Sequence, residues 1–343
     1  MIQIKYVVLA AFALGACAVG PQPVDAGTQP VAPAADAGTD AGLPPGTTVY
    51  PIVVDGIPEP DGGLAPIVVH AGTQAVYCTE VHLGNAEPIQ VIGFQSQQAK
   101  GGHHIILVEN DKDVPDGPPV QCGQSEAINP KNGSMIYISQ IEQDSQLFPP
   151  GVGMTLPAHA SLMLQLHYID ATPADLTLSS TVDVLAGPPG SITKVAAPML
   201  FYDSGLQVTP GDSSAHAGCV PLSQQDEPVD VFMLAGHMHS HGIDFKLDFT
   251  DVDGGSSQIY ETQQWDSPPE KYFAPPLLVQ PGAEFDWSCS YFNADGGTIT
   301  DPDEMCVTLG LYYPAPRGSM FCGAADGTNI CGCIYGIPDG GVL

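Results

Sequence analysis

Ten histidines occur in the 343 residues, and six of them fall in three short segments. These are His103 and His104 after Gly101-Gly102, His167 in Leu164-Gln165-Leu166-His167-Tyr168, and the run Gly236-His237-Met238-His239-Ser240-His241. Neutral imidazole is the commonest side-chain metal ligand, so the clustering points to metal chemistry. In a strand alternate residues face one side, so His237 and His239 point together and can grip one ion. His241 shares that face on paper, but three histidines along one strand span more than a coordination shell and Gly242 ends the strand, which leaves the first two as the expected pair. The plainer alternative is an exposed polar strand face, against which the rarity of alternating histidines counts.

His103 and His104 pose the opposite problem, because neighbours in a regular strand face opposite sides. A bulge or strand end is needed for them to share an ion, and Gly101 and Gly102 supply the backbone freedom for one. His167 lies in an alternating strand with Gln165 two positions earlier on the same face, where the amide could hydrogen-bond a ligand ring and fix it. Taken singly, His167 reads as a satisfied core residue and Met305, beside Cys306, as an ordinary core methionine.

The elements that must hold these residues are strands. Ile105 to Val108, Met135 to Ile138, Phe245 to Phe249 and Val307 to Tyr313 mix β-branched and aromatic residues. Asp61-Gly62-Gly63, Asp253-Gly254-Gly255 and Asp295-Gly296-Gly297 punctuate the body at intervals too short for helices, and they read as tight turns rather than calcium loops. The expected fold is all-β: two consecutive antiparallel β-sandwiches, jelly-roll-like, over residues 49 to 190 and 191 to 343, divided near Gly187-Pro188-Pro189-Gly190. Eight cysteines lie in this body at 78, 122, 219, 289, 306, 322, 331 and 333, an even number that implies disulfides in an exported chain. Only Cys331 and Cys333 are close, with one residue between them, so a structural zinc site is not expected.

Four ordered motifs, the His103-His104 pair, the His167 strand, His237-Met238-His239, and Asp303-Glu304-Met305-Cys306 followed by Leu311-Tyr312-Tyr313, resemble the copper type II, ascorbate-dependent monooxygenases. That family includes the peptidylglycine and dopamine hydroxylating enzymes, and the resemblance runs from about Tyr77 to Cys322. It implies one copper on His103, His104 and His167 in the first sandwich, serving electron transfer. A second copper is implied on the catalytic set His237, His239 and Met305 in the second sandwich, where oxygen binds. It implies disulfides Cys78 to Cys122, Cys289 to Cys306 and Cys219 to Cys322, with Cys331 and Cys333 left to pair with each other or to staple the terminus. The donor set suits copper independently, since imidazole serves both oxidation states and a thioether favours Cu(I). The implied activity is hydroxylation of a C–H bond with O2 and ascorbate or another one-electron donor. Where the peptide-processing relatives hold a substrate carboxylate with Arg and Tyr, this chain has Ala235 and Leu309. A neutral or cationic small molecule is therefore expected, not a peptidylglycine.

Composition sets the remaining limits. Eight basic against 38 acidic residues give a net charge of −30, which excludes nucleic acid as a partner. The opening residues to Leu14-Gly15-Ala16-Cys17 form a short export signal resembling that of bacterial lipoproteins, with Cys17 the acylated mature N-terminus. Residues 18 to 48 form a Pro, Ala and Gly tract with recurring Asp-Ala-Gly, a tether with nothing to bury. The expected location is exported and lipid-anchored at the cell envelope, on the outer membrane. A copper-binding surface lipoprotein that stores or delivers the metal without turnover is the alternative to the enzyme, and a structural or adhesive module is the third reading.

Overall fold

The computed structural model describes residues 42–59, 63–124, 126–127, 132–170, 172–223, 226–324 and 331–335. The export signal, Cys17 and the tract up to residue 41 lie outside the described residues. Paired structure begins at Thr48, which is already opposite Ala186.

The described residues form an all-β fold of stacked sheets with no helix among them. In the first half, one sheet runs Thr48–Val54, Ser180–Gly187, Ile89–Gln98, Val152–Leu156 and Lys194–Val195, with Gln143–Leu147 also paired to Ile89–Gln98. Against it lies a sheet ordered Val120–Gln121, Gln74–His82, Ser161–Ile169, Gly102–Asn110 and Gly133–Ser139. Phe94, Val184, Leu107, Leu164 and Leu166 from the two sheets pack into one core. In the second half, a six-stranded sheet ordered Lys271–Val279, Val229–His237, Val307–Tyr313, Ala197–Asp203, Met320–Ala324 and Cys331–Tyr335 faces a four-stranded one ordered Gly211–Cys219, Glu284–Asn293, Gly242–Thr250 and Ser256–Thr262. Pairing is antiparallel except at Val152–Gly153 with Lys194–Val195, and at Ala197–Asp203 with Met320–Ala324. Because Lys194–Val195 still pairs within the first half, the chain changes over at Val195/Ala197.

Sequence patterning explains which strands sit where. Glu284–Asn293 alternates, sending Phe285, Trp287, Cys289 and Tyr291 inward and polar residues out, as a half-covered strand should. Val307–Tyr313 is buried throughout, and Val229–His237 nearly so, because the sheet that holds them is covered on both faces. Phe201, Phe245 and Trp287 cover one face. On the other, Phe232, Met233, Leu311 and Tyr313 join the core of the first half, while Ala235, Val307 and Leu309 pack with Ile106, Val108, Met135 and Met163. The two halves share apolar cores and form one compact unit from Leu43 onward.

Four disulfides staple this unit. Cys78–Cys122 and Cys289–Cys306 are present as the family resemblance implies. The implied Cys219 to Cys322 bond is corrected: Cys219 bonds Cys331, and Cys322 bonds Cys333. The cause is register, since Met320–Ala324 and Cys331–Tyr335 pair antiparallel with Cys322 directly opposite Cys333. All four sulfurs lie within 4.8 Å of one another, and the structure joins them as two disulfides.

Candidate metal centre

The first three imidazoles are positioned by adjacent strands and one irregularity. His104 stands directly opposite His167, but the next pair is Tyr168 with Gly102, so His103 is the extra residue of a bulge. The glycines before it suit the bulge: Gly101 has φ +85°, which L side chains rarely adopt, and a Cβ on Gly102 would press on the Gln98 side chain. The bulge lets consecutive histidines turn their rings toward one place, with ring centroids 5.1 Å apart. His167 is 5.2 Å from His103 and 4.9 Å from His104.

His237 is the last residue of its strand, and His239 lies beyond the strand end. Simple strand alternation therefore does not align them; Glu304 does. Its carboxylate, fully buried, accepts the His239 backbone N–H at 2.6 Å and the His241 and Met305 N–H groups at 3.1 Å each. The Asp303 carbonyl accepts from His239 Nδ1 at 3.1 Å. Gln140, from the first half, accepts from His237 Nδ1 at 2.5 Å and donates its amide to the Gly236 carbonyl.

These partners fix the tautomers. With Nδ1 donating in both rings, His237 Nε2 and His239 Nε2 each carry a lone pair, and the two nitrogens face each other at 3.2 Å. No hydrogen lies between them to make that contact favourable. It matches the spacing of two imidazole nitrogens held about 2.0–2.1 Å from one cation at a tetrahedral angle. His167 donates Nε2 to Gln74 Oε1 at 3.0 Å and leaves Nδ1 buried and unpartnered. Both nitrogens of His103 and both of His104 are likewise buried without a hydrogen-bond partner.

All five rings belong to one cluster across the junction of the two halves. His103 is 5.2 Å from His237 and 5.3 Å from His239, and His104 is 5.6 Å from His237. Burial, followed by the charges of neighbouring histidines, holds His103, His104 and His237 well below the usual imidazole range. Burial, then His239, lowers His167 to about 3. These four rings are therefore neutral near pH 7, the form that ligates. The contrast with the surface is direct: His70, His82, His216 and His241 each face an aspartate or glutamate. Five buried imidazoles with converging lone pairs and no carboxylate among them are costly to bury for structure alone, and the arrangement fits a cation.

Two triads could each hold an ion: His103, His104 and His167, and His103, His237 and His239. Met305 is tied by its backbone, its N–H to Glu304 and its carbonyl to the Tyr291 hydroxyl at 2.8 Å, and it is a half-buried residue packed against the apolar cluster that includes Cys78, Ile106 and Val307. His241 sits apart from the rings, between Asp295 and Glu304. The Gln165 side chain lies against the His104 ring and donates its amide to the Gly123 carbonyl at 3.0 Å, while Gln74 fixes the ring of His167. Ala235 and Leu309 are register partners, both buried in the same apolar cluster.

Sequence reasoning missed Gln140, Gln74 and Glu304 as supports. Glu304 had a readable signal as an acidic residue one position before Met305. The two glutamines had none, since their partners lie 97 and 93 residues away.

No family model and no curated protein matches this chain. Among solved structures, a candidate secreted protein from Eubacterium rectale is similar at TM-score 0.23 and 11% identity, with 69% of this chain and 68% of that one covered. The VP2 subviral particle of infectious bursal disease virus is similar at TM-score 0.17 and 9% identity, covering 84% of this chain and 72% of that one. Likeness at this level carries no argument, so the functional reading rests on the site itself.

Proposed function

We propose that the protein is a copper-dependent monooxygenase that hydroxylates a C–H bond of a small molecule. The observation that carries this reading is the pair of lone-pair-bearing Nε2 atoms of His237 and His239 facing at 3.2 Å amid three further buried imidazoles. Copper bound there would supply single electrons and an open position for oxygen. The reaction consumes the C–H compound, O2, two electrons from two equivalents of a one-electron donor such as ascorbate, and two protons, and yields the alcohol and water.

The residues of this chain have separable tasks. Gln140 and the Asp303 carbonyl hold Nδ1 of His237 and His239 as donors, so both Nε2 atoms stay available to metal. Gln74 holds Nε2 of His167 as a donor, so its Nδ1 stays available. Met305 would add a thioether that favours Cu(I). The apolar Ala235 and Leu309 replace a carboxylate clamp, which supports a neutral or cationic substrate. Four disulfides accord with folding in an oxidising compartment, and the leader ending at Cys17 supports export and lipid anchoring at the envelope.

The test is aerobic incubation of copper-loaded protein with ascorbate and a panel of neutral and cationic small molecules, assayed by mass spectrometry for products heavier by one oxygen atom. Incorporation of label from 18O2 that requires both reductant and copper supports the enzyme. Stoichiometric copper without any oxygenated product selects a storage or delivery lipoprotein instead, and absence of bound copper rejects both.

A further inference from the structure

The family resemblance assigns His103 to one of two separate copper sites, yet this ring stands at the centre of the cluster. Its centroid lies 5.1 to 5.3 Å from those of His104, His167, His237 and His239. It is the one residue common to both ligand triads. Three of the other rings have one nitrogen committed to a protein oxygen: His167 to Gln74, His237 to Gln140 and His239 to the Asp303 carbonyl. Each of those rings therefore has a single lone pair to give. His103, like His104, has both nitrogens buried and uncommitted, and of the two only His103 belongs to both triads. The bulge that inserts His103 between register pairs frees its ring from the alternation of the strand and brings it against the second half, where Trp265 also lies 5.9 Å away.

We propose that His103 is a bridging ligand, one ring nitrogen turned to each of two copper ions, so that the two triads make one coupled centre instead of two independent ones. This rests on the copper reading of the site. Five rings then supply six nitrogen ligands, three per ion: His104, His167 and His103 on one side, His237, His239 and His103 on the other. Binding the second ion replaces the remaining N–H bond of His103 by an N–metal bond, and the proton leaves to buffer. No electron moves in that step. An imidazolate held in common joins the unpaired spins of two Cu(II) ions, which two separate sites do not do.

The full chain, loaded with Cu(II), is examined by metal analysis together with spin-quantified paramagnetic resonance at low temperature. The expected result is two coppers per chain, with far less than the spin of two independent ions. His104→Ala should leave one copper that shows its full, uncoupled signal. His103→Ala should weaken copper at both positions, so that neither is retained after desalting. Two coppers with full double intensity in the unaltered protein would overturn the bridge while leaving the copper function standing. Retention of one copper in His103→Ala, matching His104→Ala, would overturn it as well. Failure of the unaltered chain to hold copper would remove the function reading and the bridge together. The spin count needs no variant, so a misfolded substitution does not obscure the outcome.

Discussion

The two halves bring imidazoles to the same place by different means. In the first, the three histidines lie on neighbouring strands buried between two sheets, and ladder register plus one bulge sets their positions. No carboxylate is needed there. In the second, the chain has left its strand before His239, and a buried glutamate gathers the backbone of the turn by the His239 and His241 N–H groups while also accepting from Met305 beside it. Strand-held ligands inherit their geometry from hydrogen bonds shared by the whole sheet, whereas turn-held ligands depend on a few side chains. The second set should therefore be the easier one to disable without unfolding the protein.

His237→Ala tests that most severely. Product formation should vanish and copper content fall by about half, with the far-ultraviolet dichroism of the sheets unchanged. Next comes Glu304→Ala, which leaves one buried and two part-buried N–H groups without their acceptor, at about 1–3 kcal/mol for a fully buried group and less for the others. Denaturant unfolding of the metal-free protein should show a loss of about 3 kcal/mol or more. Its counterpart in the first half, Gln74→Ala, removes one hydrogen bond and should cost about 1 kcal/mol in the same measurement. If the two losses are equal, the contrast between strand-held and turn-held ligands is wrong.

Gln140→Ala should have a smaller, local effect. With His237 Nδ1 no longer held, copper affinity at the second triad should fall about 10-fold to 100-fold, measured by competition with a chelator, while the first triad keeps its affinity. The smallest effect concerns pH and the junction between the halves. There Gln146 donates to both Asp144 and the half-buried Glu270, and burial, then the Asp144 charge, raises Glu270 to about 8. A carboxyl group with its folded pKa raised gives stability that is present below its unfolded value of 4.5 and is lost as pH rises through about 8. Glu109, raised by burial to about 7, acts in the same direction. The buried histidines act in the opposite sense below about pH 6.5, so the two glutamates are read from a difference: the thermal midpoint of Glu270→Gln with Glu109→Gln, relative to the unaltered protein, should rise steadily from pH 5 to pH 8.

Much of the architecture was legible in the chain because it follows from local rules. Alternation and turn glycines marked the strands, and Gly101-Gly102 foretold a distortion that the bulge at His103 supplies. What escaped depends on contacts between distant segments. The spacing of His237 and His239 suggested one strand face, but their alignment comes from Glu304, 65 residues further on. The partner of Cys219 turned on the register of a terminal hairpin, which no spacing of cysteines encodes. Nor could the sequence show that two triads carried by different sandwiches would meet, since that follows from the double burial of Val229–His237 and Val307–Tyr313 against the first half.

The claim that these side chains form a copper centre is tested most directly by X-ray absorption at the copper edge on the loaded, ascorbate-reduced full chain, with copper content measured on the same sample. The account predicts two coppers per chain, a scattering pattern dominated by imidazole, and one sulfur neighbour per pair of ions from Met305. Copper bound without imidazole scattering, or a chain that retains no copper, would contradict it.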